Sequence, residues 1–100
     1  MWIGVVVGTV VSTRKDERLV GFKLLVVQPL DLTGLGHSDS PKVVVDRIGA
    51  GIGERVLVVT GISARTAAGS LEAPVDGAVV GIVDTVDLEE SLLLHDPGEG

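Results

Sequence analysis

The residues of this chain that could do chemistry are few, and their spacing decides against most of them. Gly49-Ala50-Gly51-Ile52-Gly53-Glu54 has the glycine spacing of a turn that cradles phosphate. Such a turn works when a helix follows, because the helix start supplies N–H donors and the positive end of a dipole. Here Arg55-Val56-Leu57-Val58-Val59-Thr60 follows, a β-branched run that reads as a strand. The glycines then predict a close approach of backbones, between copies of the chain or around a passing solute. The plainer alternative is a tight strand connection needing positive φ.

His37 and His95 fall in loop-like sequence, and neither has a second His or a Cys at ligand spacing, so surface positions are expected. Asp84 and Asp87, three apart on or near a strand, are expected on opposite faces, which argues against a catalytic pair. No serine sits in a G-x-S-x-G elbow. Arg14, Lys15 and Arg18 alternate with Asp16 and Glu17 and predict a solvated loop, not a phosphate patch. No catalytic residue, metal site or cofactor is expected.

Composition narrows the classes further. One hundred residues allow one domain with a modest core. Yet 45% of the residues are hydrophobic and the mean hydropathy is +0.48. That is apolar for a small solitary chain, so partner subunits are expected to cover the surplus. No run approaches the roughly 20 apolar residues that span a bilayer, and no signal peptide is evident, so no membrane partner and a cytoplasmic setting are expected. The absence of Cys removes disulfides and thiolate metal sites. A net charge of −6 repels phosphate backbones, and Trp2 and Phe22 alone make no stacking platform, so no nucleic acid is expected as partner.

The elements that must position any site are mostly strands. Five are expected: Trp2–Thr13, Phe22–Gln28 (stopped by Pro29), Lys42–Arg47, Arg55–Thr60 and Ala78–Asp87. Gly4 and Gly8 inside the first predict a bulge or bend. One short helix is expected over Ser63–Gly69, with Ser63 as N-cap and Gly69 as C-cap. Short strands, turn signals and one helix between strands four and five predict a mainly β fold, a small five-stranded OB-like Greek-key barrel. Val5-Val6-Val7, Leu24-Leu25-Val26-Val27, Val43-Val44-Val45 and Val56-Leu57-Val58-Val59 are continuous apolar runs, which predict burial on both faces. With one short helix available, neighbouring subunits are expected to cover the outer face. The tail carries one more apolar patch, Leu92-Leu93-Leu94.

Five motifs, in order, carry a resemblance. They are Gly4 with Gly8-Thr9-Val10-Val11 and Thr13-Arg14-Lys15; Gly21 with Lys23-Leu24-Leu25 and Val27-Gln28-Pro29; Asp46 with Gly49-Ala50-Gly51 and Gly53-Glu54; Ser63-Ala64-Arg65; and Pro74-Val75-Asp76 with Gly81-Ile82-Val83-Asp84. Together they resemble the EutN/CcmL proteins, the pentameric vertex proteins of bacterial microcompartments, carboxysomes included. The resemblance covers residues 1–87 as the barrel domain and leaves residues 88–100 as a variable tail. It implies a homopentamer that caps vertices of a shell otherwise tiled by hexameric shell proteins, with no catalytic residues. It also implies that Gly49, Ala50, Gly51, Ile52 and Gly53 lie near the fivefold axis and line a pore.

Arg65 and the Leu92, Leu93 and Leu94 patch are candidate inter-subunit contacts. A leucine-rich tail could add a strand to a neighbour's open sheet edge. The alternatives are an OB-type binding module and a non-catalytic accessory subunit of an enzyme complex. Single-strand binding at low salt would favour the first, and co-purification with one enzyme the second.

Overall fold

The computed structural model describes residues 1–12, 15–32, 36–69 and 75–89. Five strands alternate with turns: β1 (Trp2–Val10), β2 (Lys23–Pro29), β3 (Lys42–Asp46), β4 (Arg55–Thr60) and β5 (Gly77–Ile82). A 3-10 turn (Glu17–Leu19) precedes β2, and one helix, α1 (Gly61–Ala67), joins β4 to β5. Around the closed barrel the order is β1-β2-β3-β5-β4, with β4 returning to β1. All pairings are antiparallel except β3 with β5. The mainly β barrel with one helix between β4 and β5 is the fold expected from the sequence.

Strand lengths follow partners more than composition. β1 ends at Val10, opposite Leu24, although Val11 continues the apolar run. β5 begins one residue early and stops at Ile82, opposite Val56, with the Val83 N–H still donating to the Arg55 carbonyl at 2.8 Å. β2 is shifted by one residue and ends on Pro29, opposite Gly4. The helix starts two residues before the expected N-cap. Gly61 turns the chain directly out of β4 at φ 61, and its N–H donates to the Asp76 carbonyl at 3.2 Å. Ser63 is therefore inside the helix, and Thr60 holds the N-cap position without a side-chain cap. Gly69 follows the C-cap Ala68 at φ 92, as a C-terminal stop should.

Gly8 and Gly4 have separate roles. The register of β1 slips between Val6 and Gly8, so Val7 is the extra residue of the expected bulge. At Gly4 a Cβ would fall 2.5 Å from Val27 Cγ1 and 2.7 Å from the Gln28 carbonyl oxygen, so only glycine lets β1 lie this close to β2.

Two-face burial holds at Val44-Val45 and Val58-Val59 but not along Val5-Val6-Val7 or at Val43, where the outward side chains stay partly or largely exposed. Inside the barrel Leu25, Val6, Val27, Val56 and Val58 are fully buried. Each such side chain contributes roughly 1.5–3 kcal/mol by leaving water. A second cluster lies on the outer face: Val45, Val59 and Ala78 from the strands meet Ala64 and Ala68 of the helix segment, with Leu19, Phe22 and Leu24 at its edge. Thus Val58 points in and Val59 points out, and both are buried. This corrects the expectation that neighbours must cover the outer face, because α1 and the 3-10 turn already cover the part over β3, β4 and β5. Other apolar side chains stay exposed, among them Val7 (50%), Val43 (53%) and Ile52 (69%).

Candidate functional site

The glycine segment is a loop built around two carboxylates. Asp46 closes β3 and is 2% exposed. Its Oδ1 accepts from the Ile48 N–H at 2.8 Å and the Gly49 N–H at 3.2 Å. Its Oδ2 accepts from Gly49 at 3.2 Å and Ala50 at 2.7 Å. A buried carboxylate needs several donors to offset lost hydration, and three successive amides supply them. At the far end Glu54 repeats the device: Oε1 accepts from the Gly51 N–H at 2.6 Å, while the Glu54 N–H donates to the Gly51 carbonyl at 3.1 Å.

The loop is also stitched to distant parts of the chain. The Gly53 N–H donates to the Val6 carbonyl at 2.8 Å, and the Val6 N–H to the Glu54 carbonyl at 2.9 Å, beside the β1 bulge. Lys23 Nζ donates to the Ala50 carbonyl at 3.0 Å. Gly49 and Gly53 have φ of 99° and 90°, where a Cβ costs roughly 1–2 kcal/mol. Those two glycines make the turn, as the plainer alternative required.

This geometry answers the phosphate question chemically. The amides of Ile48, Gly49, Ala50, Gly51, Gly53 and Glu54 are all spent on acceptors of the same chain. Two carboxylates sit where an anion would have to bind, and like charges repel. What remains for the surface is a preformed loop displaying Gly49, Ile52 and Gly53, with Gly51 half-buried. Ala50 is fully buried in the barrel core.

The other candidates scatter. Arg65 is exposed on α1. Leu92, Leu93 and Leu94 lie outside the described residues, as does His95. His37 is exposed, bridging to Leu30. Asp84 and Asp87 lie beyond β5, so the argument from opposite strand faces does not apply to them. Arg55 Nη2 donates to the Asp84 carbonyl at 2.6 Å, which pins the exit of the chain to the start of β4.

Two exposed carboxyls act as local clamps in the surface loops. Hydrogen bonds from the Arg18 side chain and backbone hold Asp16 down to about 2. The Ser40 N–H, then Lys42, hold Asp39 below the usual carboxylate range. Gln28, buried, donates to the carbonyls of Pro29 and Asp39 and ties that second loop to β2. Asp46, Glu54 and Lys23 were not singled out as site residues from the sequence. An acid directly ahead of a glycine turn was the available signal for Asp46; Lys23, 27 residues from Ala50, gave none.

Comparison with known proteins then places the chain. Residues 1–84 match the family model described as ethanolamine utilisation protein EutN/carboxysome. The chain is 54% identical over 87 residues to the bacterial microcompartment shell vertex protein GrpN of Rhodospirillum rubrum, covering 87% of this chain and 97% of that protein. It is 43% identical over 100 residues to the carboxysome shell vertex protein CcmL of Synechocystis sp., covering 100% of this chain and 99% of that one. The solved GrpN pentameric microcompartment shell protein superposes with a TM-score of 0.78 at 53% identity, over 88% of this chain and 99% of that chain. The close match along nearly the whole barrel means that this chain belongs to the EutN/CcmL family of microcompartment and carboxysome proteins.

Proposed function

We propose that the chain is a structural, non-catalytic shell subunit that closes into a homopentamer and caps the vertices of a bacterial microcompartment. The observation that carries this reading is the match to a pentameric shell protein over nearly its full length. A second pentameric shell protein, of the RMM microcompartment, superposes at 31% identity and a TM-score of 0.73. Exposed apolar side chains outside the helix-covered face supply the driving force. An interface of standard size, ~1,600 Å², is ample in gross terms, and ring closure offsets the entropy of association.

A flat sheet of hexagonal tiles cannot close without fivefold units, so hexameric shell proteins are the partners on the pentamer's rim. The setting is the cytoplasm, within the shell. In the ring the loop from Gly49 to Gly53 faces the axis. Gly49, Gly51, Ile52 and Gly53 border a narrow opening, and Ala50 anchors them from the core. Arg65 and the Leu92–Leu94 patch meet neighbouring copies. Residues 1–87 form the assembling unit and residues 88–100 an appended tail.

Native mass is the first test: five copies at 10.3 kDa give 5 × 10.3 ≈ 51 kDa. A folded species of one-chain mass at micromolar concentration overturns the reading. The second is co-expression with hexameric shell subunits. Closed polyhedra are expected with this chain and open or elongated assemblies without it.

A further inference from the structure

Two apolar side chains are held out into solvent at one spot, each by a different device. Val7 is the extra residue of the β1 bulge and is 50% exposed. Bulges re-aim a side chain out of the regular alternation of a strand. Ile52 stands in the turn of the glycine loop and is 69% exposed. The Gly53 N–H donates to the Val6 carbonyl at 2.8 Å, so Ile52 and Val7 flank the two ends of one hydrogen bond and lie side by side. The bond from the Val6 N–H to the Glu54 carbonyl at 2.9 Å fixes the same approach a second time. The backbone under both residues is therefore set before any partner arrives.

What the loop withholds matters as much as what it displays. Its amides at Ile48, Gly49, Ala50, Gly51, Gly53 and Glu54 already donate within the chain. The one ammonium bound to it, Lys23 Nζ, is engaged by the Ala50 carbonyl at 3.0 Å. The loop's own charged side chains, Asp46 and Glu54, are carboxylates. An anion that sheds water in a narrow opening needs donors or positive charge in exchange, and an apolar constriction offers neither. We infer that Val7 and Ile52 of the five copies gather round the ring axis as an apolar collar, which bars small anions from the opening and leaves it to small neutral solutes. This rests on the reading that the loop faces the axis of a homopentamer, and it names what that opening selects.

Two measurements test it. The first places the collar and exploits the absence of native cysteine. Ile52→Cys is joined by oxidation or by a short bismaleimide in the assembled protein, then run denatured. Two-chain products with the pentamer mass unchanged support the collar. Pentamer mass with no cross-link overturns the collar and leaves the ring standing, whereas a one-chain native mass before treatment sinks both. Should that variant misfold, Val7→Cys is read in the same way. The second measures selection. Closed shells of this chain and hexameric subunits enclose a fluorophore quenched by both iodide and neutral acrylamide. Leakage through the hexamers is common to parent and variant, so the difference reports the vertices. Ile52→Ser should speed iodide entry roughly tenfold and acrylamide entry far less. Unchanged iodide entry overturns the barrier, and an equal gain for both quenchers overturns its preference for neutral solutes.

Discussion

The loop from Asp46 to Glu54 and the opening residues of β3, Lys42 and Val43, adjoin along one strand, yet they are held to different degrees. In the loop, two carboxylates, a lysine and the backbone of β1 account for five amides and two carbonyls within one chain. At the start of β3, Lys42, Val43 and Val44 pair with β2, and among the described residues β5 joins β3 only at Val45 and Asp46. The loop is complete in the isolated subunit, so its shape is available to a ring at no ordering cost. Lys42 and Val43, by contrast, are exposed in the subunit alone. The contrast separates two kinds of surface: one held by its own carboxylates, the other an apolar side chain left open to solvent.

Substitutions can break or sharpen that contrast. The largest effect is expected at Asp46. Asp46→Ala strands the amides of Ile48, Gly49 and Ala50 and should cost about 3 kcal/mol in urea unfolding, whereas Asp46→Asn, which keeps one acceptor, should cost about 1 kcal/mol. Equal losses would show that charge, not acceptance, holds the loop. Gly53→Ala comes next, at about 1–2 kcal/mol, from the left-handed φ alone.

Val43→Thr, at the exposed start of β3, should leave unfolding of the dilute subunit within about 0.5 kcal/mol and act only on assembly, read as a rise in the concentration at which the ring dissociates. A large folding penalty there would mean that Val43 is covered within the subunit, and the contrast would fail. The smallest effect concerns acid. Asp16 is depressed in the folded state, so its contribution is present above its ordinary value of 3.8 and is lost as pH falls toward about 2. Asp16→Asn should therefore differ slightly from the parent in urea midpoint at pH 7, with the gap closing by pH 2.5.

Much of the barrel is legible in the sequence because β-branched runs and turn residues mark it directly, and β4 is found at its expected bounds. What composition does not carry is where a partner ends. β1 and β5 end opposite Leu24 and Val56, although their own apolar runs continue. The helix start is missed for a related reason. Ser63 has the better capping side chain, but the backbone turn at Gly61 is anchored by Asp76, a residue brought near only by the folded sheet. The loop glycines at 49 and 53 are visible as turn formers. The carboxylate that organises them is adjacent and could be guessed, whereas Lys23 reaches Ala50 only through the pairing of β2 with β3. Likewise, the alternation of Val58 inward and Val59 outward needed the helix in place before both could be understood as buried.

The strand order has a further consequence for when a subunit comes into being. Among the described residues β5 is the last strand in the chain, yet it sits between β3 and β4. Until residues 77–82 emerge from the ribosome, the other four strands form an open, edge-bearing ribbon dominated by distant pairings, which are slow to form. Residues 77–82 must be made before there is a closed particle to recruit, and a chain cut short before that point has no barrel to offer its neighbours.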